Sequence, residues 1–184
     1  MRRRAAIVPK ALRALGFAAG LDVLLSVSGA QAGDPASTAR AAMDLFAQNC
    51  FSPFMTAEKA RKTFALSGAT YDFYDLDPFS SADPSPATGR PATPGTDRRC
   101  EIAFAGNHAD KAAATAVEAL TKEGITTPAP LPASYTETET TTLLAARRLN
   151  PRRTAIVHVG TRNGPQGTET FMLVERLLPT NDQN

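Results

Sequence analysis

Along DPASTARAAMDLFAQNC, residues 34–50, apolar side chains recur at Ala39, Met43, Phe46 and Cys50, spaced by four, three and four residues. That spacing lays them on one stripe of an α-helix, with Asp34 as its cap and Pro35 at its first position. TAEKARKTFALSG repeats the pattern on a shorter scale. Thr56 is the cap, Ala57, Ala60 and Phe64 share a face, and Gly68 is the terminator. The period then changes. YDFYDLDPF reads as extended, and CEIAFA alternates so that Cys100, Ile102 and Phe104 point one way. Helical spacing returns over residues 107–124: Asn107 stands at the cap, Asp110 lies in the first turn, and Ala113, Ala116, Val117 and Leu120 form the stripe. Gly124 supplies the left-handed end and Ile125 the apolar contact after it.

The last third is β-rich. The alternating Thr and Glu of TETETTTLLAARRL predict an exposed strand that turns inward at Leu143 and Leu144, with a helix over LLAARRL as the competing reading. Asn150-Pro151 ends either one. RRTAIVHVGTR and TETFMLVERLL then read as two strands joined through NGPQG, with a wide loop at residues 160–168. Two proline-rich stretches separate the elements: a surface loop over residues 78–97 and the connection TTPAPLPASY. The order predicts an α+β fold, with an antiparallel sheet of about four or five strands and helices packed on one face.

The N-terminus changes the charge balance. Residues 1–32 run from Arg2, Arg3 and Arg4 through an Ala/Leu-rich stretch to Ala30-Gln31-Ala32, the order of a cleaved secretory signal peptide. They hold five of the 20 basic and one of the 18 acidic residues, so residues 33–184 keep 15 and 17, a net charge of −2. Nucleic acid thereby loses its electrostatic argument as a partner. The remaining 152 residues suit a single domain with no membrane span, placed in the periplasm or outside the cell.

In such a compartment Cys50 and Cys100 read as a disulfide. Each sits on the apolar side of its element, where a thiol is bridged or inert rather than nucleophilic. The remaining chemistry is sparse. Two histidines without an H-x-x-x-H or C-x-x-C spacing predict no metal and no cofactor, and no G-x-S-x-G nucleophile turn occurs. Asp72, Asp75 and Asp77 share a strand with aromatic residues, expected on its opposite face, and lack the glycine and glutamate of a calcium loop. Arg147, Arg148, Arg152 and Arg153 flank a Leu-Asn-Pro turn, and Arg162 lies in the glycine-rich stretch after it. Guanidinium forks suit carboxylate and phosphate groups. These five arginines form the candidate anion-binding set. The expectation is a non-enzymatic binding or interaction protein whose partner is a protein, a glycan or a small acidic ligand. The alternative is a cell-envelope hydrolase or isomerase pairing His108 or His158 with an aspartate such as Asp75.

Overall fold

The computed structural model describes residues 34–81, 84–86 and 90–179. The segment expected as a signal peptide, residues 1–32, lies outside the described residues.

Helix α1 spans Pro35–Asn49, and the Asp34 carboxylate accepts from the Ala36 amide at 3.4 Å. It buries Ala39, Ala42, Met43 and Phe46. Helix α2, Ala57–Phe64, starts where the Thr56 hydroxyl accepts from the Lys59 amide at 3.2 Å, and it continues into a 3₁₀ turn that stops at Gly68, φ 72°. Strands β1 (Thr70–Asp75), β2 (Ser85–Pro86) and β3 (Thr96–Ala105) follow, then helix α3 (Ala109–Lys122). Strands β4 (Thr141–Asn150), β5 (Arg153–Gly164) and β6 (Gly167–Leu177) complete the described chain.

The six strands make one antiparallel sheet in the order β2-β1-β3-β6-β5-β4. The fold is α+β with helices on one face, as the periodicity predicts, but with six strands rather than four or five. The additional strand is β2, whose two residues include a proline and carry no alternation to read. LLAARRL is β-strand, paired with β5 from Leu143 to Arg148. The Thr-Glu alternation is not: residues 136–140 precede the strand, and the Thr141 amide donates back to the Thr138 carbonyl at 3.0 Å, as in a turn. The wide loop expected at 160–168 is a tight hairpin in which Gly164 pairs with Gly167 around Pro165-Gln166.

On the helix face, Phe73, Cys100, Ile102, Phe104, Val157, Val159, Met172 and Val174 form one core with the buried stripes of α1, α2 and α3. The Cys50–Cys100 disulfide ties the end of α1 to the middle of β3 across a Cα separation of 5.4 Å. Closing a loop of 50 residues stabilises the fold by about 4 kcal/mol in the chain-entropy model. At α3 the cap differs from expectation. His108 occupies the N-cap position without a side-chain cap bond, and Asn107 accepts only from the Ala109 amide, at 3.3 Å. Thr170 of β6 fills the role instead, accepting from the His108 amide and donating to the Gly106 carbonyl, both at 2.8 Å.

Among the described residues no helix packs on the second face. Its buried residues include Asp72, Tyr74, Arg99, Glu101 and Glu175. Residues 127–129 instead run along the outer edge of β4, with Ala129 bonded to Ala146 at 3.1 Å and Arg148 to Thr127 at 2.9 Å. A proline-rich edge of this kind blocks further strand addition.

Candidate functional site

Residues directly opposed in an antiparallel ladder share a face. Asp75 of β1, Arg98 of β3, Arg176 of β6 and Ala155 of β5 are opposed in turn, so a row with three charged side chains crosses the helix face at one end of the sheet. Arg98 and Arg176 are only 6% and 3% exposed. Arg176 donates from Nε to Asp97 Oδ1 at 2.5 Å, and from Nη2 to Asp75 Oδ1 at 2.9 Å and the Asp77 carbonyl at 2.6 Å. Arg98 donates from Nη2 to the carbonyls of Ser52 and Met55, at 2.8 and 3.2 Å, and its Nη1 lies 3.5 Å from Asp75 Oδ2. Arg153 reaches the same cluster through Asp97 and Asp77. Phe79 lies beneath the guanidiniums of Arg153 and Arg176, whose central carbons are 5.2 and 4.6 Å from its ring centre, and Arg98 stacks over Phe73 at 5.3 Å.

Three buried polar atoms of this row have no hydrogen-bond partner among the described residues: Asp75 Oδ2, Arg98 Nε and Arg176 Nη1. Such groups are costly, because each has lost water without regaining a bond. Burial raises the Asp75 carboxyl above its ordinary range, against the pull of Arg98 and Arg176. Burial likewise brings Arg98 down to about 10, against the pull of Asp75.

A cavity of about 530 Å³ opens on this row, a size suited to a small molecule. Arg98, Arg176, Ala155 and Val174 supply its sheet side, Phe51 and Phe54 come from the loop after α1, Ile125 follows α3, and Leu149 lies near the end of β4. Phe54 and Phe79, 64% and 51% exposed, also line it. Cys50 lines it too, so the disulfide fixes one wall in place.

The second face carries a different cluster. Arg99 bridges Asp72 at 2.7 Å and Glu175 at 3.0 Å, and Arg90 and Arg162 pair with Glu101 at 2.8 and 2.6 Å. Tyr135 donates to Glu175 at 2.8 Å, and burial together with that bond holds its phenol protonated well above the ordinary tyrosine range. Arginines and carboxylates here satisfy one another, so the cluster reads as a polar replacement for a helical cover.

The arginines singled out from the sequence do not converge. Arg153 is held by Asp77 and Asp97, and Arg162 by Glu101 and Glu169. Arg147 and Arg148 donate to the carbonyls of Ala146 and Pro151, at 3.0 and 3.4 Å. Arg152 stands exposed at the turn, where its amide bonds Asn150 Oδ1 at 2.9 Å. Of the three aspartates, Asp72 stands apart, whereas Asp75 and Asp77 both meet Arg176. Asp72 shares the second face with Tyr74, and Asp75 shares the helix face with Phe73, so acids and aromatics do not divide between the faces.

His158 Nε2 lies 3.0 Å from the Thr141 hydroxyl, and its ring meets Phe171 edge-on at 4.9 Å. His108 lies against Phe104, with ring centres 6.0 Å apart. Among the described residues neither histidine makes a hydrogen bond or ion pair to a carboxylate, so the base-and-acid pair of the hydrolase alternative is not assembled there. Asp75 is engaged by arginines on another part of the sheet.

The guanidiniums of the cavity were missed at the sequence level, although their signal is present. The alternation that turns Cys100 and Ile102 inward in TDRRCEIAFA also turns Arg98 inward, and that of Met172 and Val174 turns Arg176 inward. Compared with family models, curated proteins and solved structures, the chain matches none.

Proposed function

We propose that this chain is an exported, non-catalytic binding protein whose anionic ligand sits in the cavity at the end of α1 and α3. The observation that carries the reading is the cavity itself: mainly apolar walls lined on the sheet side by two buried arginines, each with an N–H donor that has no hydrogen-bond partner among the described residues. A small-molecule site commonly has this composition, a mainly apolar lining with a few placed polar groups. Export is supported by the disulfide, which persists in oxidising compartments, and by the leader-like pattern of residues 1–32. Among the described residues no helix is long and apolar enough to cross a membrane.

An anionic naphthalene sulfonate dye tests this. Saturable one-to-one fluorescence enhancement is expected, and Ala155→Leu, which puts methyl groups into the cavity, is expected to weaken it at least about tenfold, a change of about 1.4 kcal/mol. Unchanged circular dichroism would show that the variant keeps its fold. Equal binding by both proteins, or none by either, contradicts the reading.

A second reading keeps the surface arginines as the contact for an anionic protein or glycan. It is favoured by the exposure of Arg148 and Arg152, neither of which forms an ion pair among the described residues. A partner whose affinity drops in Arg148→Ala and Arg152→Ala, while dye binding is untouched, would support it.

A further inference from the structure

Resting on the cavity as the ligand site, we infer that its ligand carries one carboxylate head on an apolar body, with the head at Arg98 Nε and Arg176 Nη1 and the body along Phe51, Phe54, Ile125 and Leu149. The two donors belong to directly opposed residues on neighbouring strands, they are buried, and they have no partner among the described residues. Both arginines line the cavity, and the two donor atoms themselves are closed to solvent, so the head reaches them by displacing what covers them. Guanidinium N–H groups in such a setting favour a charged acceptor, because charge-assisted bonds are about twice as strong as neutral ones.

The surrounding charges limit what the head can be. Asp75, Asp77 and Asp97 stand against Arg98, Arg153 and Arg176, so the cluster is already balanced three to three. A head with one negative charge answers the two unpartnered donors and places only one added charge near Asp75 Oδ2, which also lacks a hydrogen-bond partner among the described residues. A dianionic phosphate brings a second charge beside Asp75 and Asp97, where like charges in a buried setting repel. The apolar body follows from the walls, since the residues beyond the floor are mainly aromatic and aliphatic. Phe79 connects the two parts, lining the cavity while stacking on Arg176. An entering head that reaches Arg176 therefore has to slide along or displace that ring. Its exposure on the loop after β1 leaves it room to move.

Isothermal titration with decanoate, decan-1-ol and decyl phosphate tests this on the wild-type protein, with no variant that has to fold. Decanoate is expected to bind roughly tenfold or more tightly than decan-1-ol, in keeping with hydrogen bonds to a charged group, and more tightly than decyl phosphate. In ¹⁵N spectra of arginine side chains, the Arg98 Nε–H signal is expected to move with decanoate and not with the alcohol. Equal affinity for decanoate and decan-1-ol overturns the head-group assignment and leaves the cavity reading standing. Tighter binding of decyl phosphate overturns the carboxylate. Binding of none of the three overturns both the assignment and the cavity as the ligand site. Arg176→Gln is expected to remove the preference for decanoate while keeping the affinity for decan-1-ol. A retained preference in that variant also counts against the proposal.

Discussion

His158 shows how burial sets ionisation in this sheet. Its ring, on β5, is packed against Phe171 of β6, and burial lowers its pKa, with Glu175, Glu101 and Glu137 pulling the other way. A histidine depressed in the folded state contributes stability that is present above the unfolded pKa, near 6.5. That contribution is lost as pH falls through the lower folded value, because the unfolded chain takes up the proton first. The urea midpoint of the wild type is therefore expected to drop between pH 7.5 and 5, and His158→Leu is expected to flatten that drop. Parallel curves for the two proteins would show that His158 is not the group responsible. At this same scale the sequence was informative about some residues and silent about others. Cys50 and Cys100 declared their direction through the stripe and the alternation they belong to, and they are bonded. Arg153 looked like a free surface cation, because the carboxylates that hold it lie 56 and 76 residues away in the chain, and Arg162 has one partner seven residues away across the hairpin and a second 61 residues away. No local pattern reports a partner at such a distance.

At the scale of elements, helices were the most legible because their caps and stripes are local. Helix α3 is the exception, since its cap comes from β6 and its buried stripe runs through Ala109, Ala112, Ala116, Ala119 and Leu120, leaving the expected Val117 exposed. Thr170 is fully buried and joins the His108 amide to the Gly106 carbonyl. Thr170→Val keeps the shape, removes both bonds and leaves two backbone groups short of partners. A loss of about 1–3 kcal/mol is expected in urea unfolding. Asn107→Ala should cost less, about 0.5–1 kcal/mol, because its bond is long and the residue is exposed. The reverse order would return the cap to Asn107. Strands were less legible where alternation and pairing part company. Residues 136–139 alternate well but bond locally through Thr138, with contact to β5 starting at the Thr140 carbonyl, whereas Ser85 and Pro86 show no alternation yet pair with Asp75 and Tyr74. Glycine marks loops, so residues 160–168 suggest a wide connection, although most of them are in the ladder.

At the scale of the whole molecule, the layer arrangement could be inferred from the sequence but the cavity could not. An α+β order with one apolar face per element implies helices on a sheet. The cavity instead forms where the ends of α1, α3, β4 and β6 and the loop carrying Phe79 meet, so no single segment announces it. The charged second face was equally hidden. Its buried acids and arginines look like ordinary surface residues until the loops that carry Arg90, Thr93 and Tyr135 fold over them. The disulfide links these levels, fixing the end of α1 to the sheet beside the two cavity guanidiniums. The most direct test of that arrangement is a map of backbone amide shifts while the intact, oxidised protein is titrated with decanoate. Changes should centre on residues 50–54, 123–125 and 149–150, together with Arg98 and Arg176. Changes centred instead on Arg148 and Arg152 and the 160–168 hairpin, or no changes at all, would contradict a ligand held between the helices and the sheet.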